Sequence, residues 1–595
     1  MRMRRFTCFT GVLATLLTAA PAGPEWHGWS DAIFAQAKRE NRFVLLDLEA
    51  VWCHWCHVMD ETTYRDPAVN ALLKARYLTV RVDQDARPDL SNRYEDYGWP
   101  ATIVFDGNGK EIVKRSGYLP PKQMESMLRA IIADPTPGPS VQPEVKPDFS
   151  HGPHLTAGQK VALTADFFKS YDSAKGAWGF SQKFLDGQAE EYAMSLAAAG
   201  DVRAKQMARQ TLYAQLRLVD PAWGGVYQYS TGGDWNEPHF EKIMLVQAVN
   251  LRAFALGYAM WREPAFLRAA QSVRTYLKTF LTSPEGAFYT SQDADLVAGE
   301  HSAGYFALGD AARRKLGVPR VDRNIYSREN GWAISGLCAL YGATGDAAVL
   351  QDAVRAAAWI VAHRALPNGG FRHGETDAAG PYLGETLSMG RAFLDLYAVT
   401  GDREWLGRAE TSARFIAANF GAAGGTGFVT TRTPTDHAWT PRPERDENIA
   451  LVRFSNLLRQ YTGNEFFGRM AERAMGYVAA PQVAQGFPTA GPLEAERELS
   501  SEPLHVTVVG RRDDVAAKAL FMAALALPAN YKMTEFVDGR EGASTSRIAY
   551  PASDRAAAYV CSGTRCSRPI FAVDIMRERV EKFSAQFASE HLTKR

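Results

Sequence analysis

Two cysteines separated by two residues, Cys53-His54-Trp55-Cys56, carry the clearest chemistry in this chain. They follow the apolar, strand-like run 42–48 and open a helical segment. A cysteine at a helix N-terminus faces unpaired N–H groups and the positive end of the dipole, so its thiolate is stabilised. The spacing lets a second thiol close a disulfide, which makes Cys53 the exposed nucleophile and Cys56 the resolving thiol. His54, Trp55 and His57 are the neighbours that tune such a pair. Trp99-Pro100-Ala101 suits a cis peptide bond beside it, with Pro100 shaping a substrate groove. Asp47 interrupts the apolar strand; buried there, its carboxyl would be raised and would accept a proton from the resolving thiol. The alternative sets Asp47 on an edge strand facing water.

The same residues admit other chemistry. Cys53-x-x-Cys56-His57 is also a c-type haem attachment pattern, but the strand before it and the Trp-Pro after it favour the redox reading. A zinc site at Cys53, His54, Cys56 and His57 would need adjacent residues to converge on one tetrahedral ion. No metal and no cofactor beyond the disulfide itself is therefore expected. Cys561 and Cys566 form a second pair, either a structural disulfide of an exported protein or a relay exchanging with Cys53–Cys56. Cys338, in an apolar helical run, reads as an inert buried thiol. Further along, Asp234, Glu237, His239, Glu241, Asp293 and Asp295 lie among Trp223, Tyr227, Trp235 and Tyr289. Carboxylates with aromatic platforms suit sugar binding or glycoside hydrolysis; equally, they cap helices and pack loops.

Three zones must position these residues. From 24 to 134 strand and helix patterns alternate, with Asp106-Gly107-Asn108-Gly109 as a hairpin signal, which gives a small α/β unit. Residues 135–154 carry Pro135, Pro137, Pro139, Pro143, Pro147 and Pro153, the composition of a semi-rigid linker. From 155 to 491 helix follows helix, and Tyr-Gly-Ala-Thr-Gly-Asp (341–346), Tyr-Ala-Val-Thr-Gly-Asp (397–402) and Tyr-Thr-Gly-Asn (461–464) recur. Each phrase ends one helix with Gly and caps the next with Asp or Asn. Repeated helical hairpins of this kind stack into an α/α toroid whose Gly/aromatic loops gather at one end and form a pocket. Residues 492–595 form a small α/β elaboration with a closing helix.

At the N-terminus, a cationic start, an uncharged run from Phe6 to Ala20 and Ala20-Pro21-Ala22 have the layout of a secretory signal peptide over 1–22. Cys8 sits at the wrong end of that run for a lipoprotein site. Export to the periplasm or beyond follows as the expectation. The chain has 595 residues, 46% hydrophobic and 22% charged, enough for several packed cores and unlike a disordered chain. With 67 Lys+Arg against 66 Asp+Glu, it lacks the basic surplus that nucleic-acid binding requires.

Asp47, the Cys53-His54-Trp55-Cys56-His57-Val58-Met59 core and Trp99-Pro100 resemble a thioredoxin fold, and within it the thioredoxin-domain, spermatogenesis-associated family with its bacterial relatives. The resemblance continues through 82–89, Gly176-Ala177-Trp178-Gly179-Phe180, Pro238-His239-Phe240-Glu241-Lys242, 291–295 and Cys561 with Cys566. It implies a thioredoxin-like domain joined to a six-hairpin, glycosidase-like (α/α)6 barrel. The chain departs from the family at 243–247, at Glu329-Asn330-Gly331-Trp332 and near Asn448, all in the barrel pocket, which argues against glycosidase activity. The expectation is an exported thiol-disulfide oxidoreductase acting on protein thiols or disulfides, with a membrane electron donor or acceptor as a further partner. The barrel would be its docking module for a sugar or peptide. The alternative is a carbohydrate-binding or carbohydrate-active barrel with an accessory thioredoxin domain.

Overall fold

In a computed structural model, the described residues are 23–580 and 582, apart from 144, 378, 433–439, 487–489, 542–547, 549, 552–554, 563–564 and 581. The expected signal segment and Cys8 lie outside them, as does most of the expected closing helix.

The first domain is built on a five-stranded sheet ordered β1 (Trp26–His27), β3 (Tyr77–Asp83), β2 (Phe43–Glu49), β4 (Ala101–Phe105), β5 (Glu111–Ser116). β2 lies between a parallel β3 and an antiparallel β4, so Val44, Leu46 and Leu48 are fully buried on one face and Leu45 on the other. Helices α1 (Asp31–Glu40), α2 (His54–Thr62), α3 (Pro67–Arg76), α4 (Pro88–Tyr94) and α5 (Pro121–Ala133) surround it. α3 starts cleanly because Asp66 accepts from the N–H groups of Ala68 and Val69 and proline occupies its first position. The peptide bond before Pro100 is cis. The described residues of the proline-rich segment form no helix or strand, and the segment is tied down at two points. Gly138 donates to the Ile112 carbonyl at 2.9 Å, and the Asp148 N–H donates to Gln482 at 3.0 Å.

Six helices among the described residues form an inner ring, in the order Gly187–Ala198, Met244–Trp261, Ser327–Thr344, Leu383–Thr400, Arg445–Thr462 and Ala490–Leu499, the last packing back on the first. An outer helix backs each inner one, and Ala157–Lys169 covers the last. The boundary expected at 491 falls inside Ala490–Leu499; without that helix the ring has no sixth inner member, so the barrel runs on to Leu499. Gly345, Gly401 and Gly463 close their helices at φ 73°, 67° and 70°, a conformation side chains resist, and Asp346, Asp402 and Asn464 cap the next helix.

A second repeated device was not legible in the recurring phrases. In four of the six inner helices the fourth residue satisfies the preceding loop's backbone. Gln247 bonds both polar groups of Val226 (2.8 and 2.7 Å), Asn330 those of Phe288 (2.8 and 3.0 Å), and Asn448 those of Phe428 (2.9 Å each). Thr386 accepts from the Phe371 N–H at 3.1 Å. A side-chain amide, or the Thr386 hydroxyl, thus replaces a strand partner and holds these four loops at the helix N-termini. Asn330 and Asn448 thus support loops.

The third unit is a sheet of Lys532–Val537, Leu504–Val509, Ala557–Ser562 and Arg565–Cys566, with the helix Val515–Leu525 against it. It packs on the C-terminal end of the ring, where Arg512 donates to the carbonyls of Thr400 (3.0 Å) and Gly401 (2.6 Å). Cys561 and Cys566 are disulfide-bonded across its last hairpin, and Cys338 is a buried free thiol.

Replacing Asn330 or Asn448 by Ala orphans two buried backbone groups, each of which costs about 1–3 kcal/mol. We expect each variant to melt at a clearly lower temperature in a thermal scan. An unchanged melting temperature would show that the loops are held by other contacts.

Candidate functional site

Cys53 is the N-cap of α2, and its Sγ accepts the Cys56 N–H at 3.1 Å; the two cysteines are disulfide-bonded. Any negative charge that develops on Cys53 is therefore met by the helix N-terminus. The expectation of an exposed nucleophile is corrected: Cys53 and Cys56 are each only 3% exposed. Ala50, Trp52 and Trp99 enclose them on one side, and Ile243, from the loop leading into the second inner helix, packs against them from the barrel.

The barrel makes closer contact still. Asp295 bridges the histidines of the Cys motif: His54 Nδ1 lies 2.7 Å from Oδ1 and His57 Nδ1 lies 3.0 Å from Oδ2. Asp293 lies 3.7 Å from His57 Nδ1. The Ala294 N–H approaches the Trp52 carbonyl at 3.5 Å, and His301 sets its ring 5.9 Å from that of His54. Burial opposes the charged form of Asp295, but hydrogen bonds from His54 and His57 hold it at about 2. Burial likewise opposes the charge on His57, yet the Asp295 hydrogen bond and the Asp293 and Asp295 charges raise it above its ordinary value. Burial pushes Asp293 up to about 7.

Beyond the cysteines the two domains are joined at several points. His373 donates through Nε2 to the Asp85 carbonyl at 2.7 Å and meets Glu385 with Nδ1 at 2.9 Å, while Trp52 Nε1 donates to Asp85 Oδ2 at 2.7 Å. Asn92 reaches Thr430 at 3.3 Å, and Arg442 donates to the Arg93 carbonyl at 3.0 Å. Residues 295, 373, 430 and 442 all sit on loops that precede inner helices. The thioredoxin-like domain therefore covers the end of the ring where the sequence led us to expect an open pocket, because those loops offer the carboxylates and backbone groups that its own active-site face pairs with.

Asp47 is buried in central strand β2, so the edge-strand alternative is excluded. It is not solitary: Arg81, its register partner on β3, donates to Oδ2 at 2.9 and 3.1 Å and stacks 4.0 Å over Trp26. Burial raises Asp47 to about 6 despite Arg81. Glu49, also paired with Arg81 at 3.2 Å, is pushed to about 8 by burial and the neighbouring Asp47 charge. Pro100 is buried beside Trp99.

The remaining expected barrel residues are not gathered into one pocket. Trp223 Nε1 donates to Asp310 (2.7 Å), Trp235 Nε1 to the Lys175 carbonyl (2.7 Å), and Tyr227 packs edge-on against Phe240. Asp234 caps its own turn by accepting from the Asn236 N–H at 2.8 Å. Trp223, Trp235 and Asp234 spend these polar atoms on nearby groups of the barrel itself. His239 stacks on Tyr229 at 4.3 Å and lies 3.9 Å from Glu241. Sequence reasoning missed Arg81, Ile243, Asp85 and His373. Arg81 left a signal, as a lone cation in an apolar strand parallel to Asp47; His373 left none.

Three groups bring potential metal-ligand atoms within 4.8 Å of one another: His57, Asp293 and Asp295; Glu329, His373 and Glu385; and Asp47, Glu49 and Asp60. In the first the histidine is engaged by Asp295, in the second both His373 nitrogens are engaged, and in the third Arg81 supplies the positive charge.

The domain junction carries a pH dependence of known sign. A His57 raised above 6.5 stabilises the native state below that pH, and this contribution is lost as pH rises through its native value. Across the same junction burial raises Asp83 to about 7, Glu447 to about 7 and Asp293 to about 7, and lifts Asp85 well above its ordinary value. Acids raised in the native state hold protons that the unfolded chain releases, so stability falls from about pH 4 to about pH 7. Both effects run the same way. We expect a higher melting temperature at pH 5.5 than at pH 8.5, and an increase with pH would contradict this electrostatic picture.

The geometry is matched by comparison with known proteins. Residues 14–133 match the family described as Thioredox_DsbH, protein of unknown function, DUF255. Human spermatogenesis-associated protein 20 is 25% identical over 307 residues, covering 46% of this chain and 39% of that protein, so the match spans about two fifths of its relative. Thiol:disulfide interchange protein DsbD 1 of Pseudomonas aeruginosa is 38% identical over 85 residues, 14% of each chain. Cellobiose 2-epimerase from Bacillus thermoamylovorans superposes with a TM-score of 0.43 and 13% identity, over 55% of this chain and 84% of that one. Among the described residues no helix is long and apolar enough to cross a membrane. The chain thus joins a thioredoxin-like domain, matched over residues 14–133 by the DUF255 (DsbH) family model, to a ring of six inner helices of the (α/α)6 kind.

Proposed function

We propose that the protein is a thiol-disulfide oxidoreductase whose redox centre is Cys53–Cys56 and whose barrel forms one wall of the active site. The observation that carries this reading is the placement of the Cys53 sulfur at the N-terminus of α2, 3.1 Å from the Cys56 N–H, with the flanking His54 and His57 both held by Asp295. In the reduced enzyme Cys53 attacks as the thiolate, forming a mixed disulfide, and Cys56 then attacks Cys53 to release the product thiol. Asp47, buried and raised to about 6, is the proton acceptor for Cys56, with Arg81 restoring its charge balance. The similarity of the first domain to an interchange protein supports the same chemistry, and the layout of residues 1–22 supports export to a compartment where thiols and disulfides exchange. The sugar reading has weaker support, because Asp293 and Asp295 face the histidines of the cysteine motif instead of an open cleft.

A Cys56→Ser variant should accumulate a mixed disulfide with the exchange partner, seen as a mass increase that a reductant reverses. Cys53→Ser should form none. Trapping on Cys56 in the Cys53→Ser protein but not on Cys53 in the Cys56→Ser protein would reverse the assignment.

A further inference from the structure

The oxidoreductase reading leaves open what the cysteines exchange with, and the barrel's position over them bears on that. A thioredoxin-like site that serves folded proteins presents its nucleophile and the strip beside its proline to solvent. Here Cys53, Cys56 and Pro100 are all buried. The cover is the protein's own barrel: Ile243 on the sulfur cluster, Asp293–Asp295 on the histidines, and Gly299 against the His57 carbonyl, where even a Cβ would lie 3.5 Å away. It is fastened away from the sulfurs as well, by His373 to Asp85 and by Arg442 to Arg93. The exposed flank is at Trp55, 41% exposed and stacked on Tyr118.

Two polar atoms of this enclosure lack hydrogen-bond partners. Trp99 Nε1, a donor on a ring packed against the cysteines, is buried without an acceptor. Glu241 Oε2, two residues before Ile243, is buried without a hydrogen-bond donor among the described residues, with His239 Nδ1 3.9 Å away. Unmet buried groups cost stability, and a small polar molecule can satisfy them where an apolar cover cannot.

Resting on the oxidoreductase reading, we propose that the exchange partner of Cys53–Cys56 is a low-molecular-weight thiol and its disulfide, not a folded protein. Reduced enzyme meets a small disulfide RSSR; the Cys53 thiolate displaces one RS⁻ and forms Cys53–S–S–R. The Cys56 thiolate then attacks the Cys53 sulfur, releases the second RS⁻ and closes the protein disulfide. Two electrons pass to the substrate, and the two protons of the dithiol leave on two RSH. Two molecules of RSH drive the reverse.

The test compares the full-length mature protein acting on glutathione disulfide and on cystine with its action on insulin, read as product thiol formed. Reduced protein is also alkylated with N-ethylmaleimide and with the same maleimide carried on polyethylene glycol. If a bulky partner needs an uncovered state populated at about 1%, its reaction is about 100-fold slower than that of a small one. We expect that ratio for insulin against a small disulfide and for the polymer reagent against the small reagent. Insulin reduction as fast as that of either small disulfide, with polymer labelling as fast as small-reagent labelling, would overturn the proposal while leaving the oxidoreductase reading intact. No exchange with any substrate would overturn both.

Discussion

One carboxylate ties the two large domains to a single site. Asp295 comes from a loop of the helical ring, yet its two oxygens are spent on the two histidines that flank the cysteines of the other domain. A buried carboxylate is costly unless paired, and a buried imidazolium equally so. Each makes the other tolerable, and neither domain alone offers the partner. The rest of the junction is arranged around this contact: Ile243 closes on the sulfurs, and His373 reaches the backbone of Asp85, whose side chain in turn holds the indole of Trp52 next to Cys53.

The ring is what allows a loop to be aimed so closely. Its inner helices point their N-termini at the thioredoxin-like domain, and Gln247, Asn330, Thr386 and Asn448 fix the intervening loops through their backbones. At the opposite end Arg512 donates to the carbonyls of Thr400 and Gly401, where the C-terminal sheet packs against the ring.

The sequence made the local chemistry legible and left the long-range geometry hidden. The cysteine pair announces itself because spacing, preceding strand and following helix lie within one short stretch. The turns at Gly345, Gly401 and Gly463 are legible because left-handed backbone selects glycine and a helix start selects Asp or Asn. Asp47 was recognisable as a buried acid, and its partner Arg81 could have been found from the parallel register of two apolar strands. In the sequence Asp293 and Asp295 admit a barrel pocket or loop caps, since nothing local says that residues so far along the chain meet His54 and His57. Trp223, Tyr227, Asp234 and Trp235 admit two readings in the sequence, a pocket or loop packing, and here Trp223, Trp235 and Asp234 spend hydrogen bonds on nearby groups of the barrel.

The central claim, that the barrel's carboxylate is part of the redox centre, is tested most directly by the reduction potential of Cys53–Cys56. It would be measured by glutathione titration in the native chain and in Asp295→Asn, with Cys561 and Cys566 replaced by Ser in both. His57 lies on the helix that Cys53 opens, while the carboxylate that raises it reaches in from across the junction. Removing the carboxylate lowers His57 and withdraws that charge from the thiolate. We expect a native potential between about −120 and −270 mV, shifted by on the order of 30 mV to more negative values in the variant. An unchanged potential, or one shifted upward, would contradict the account.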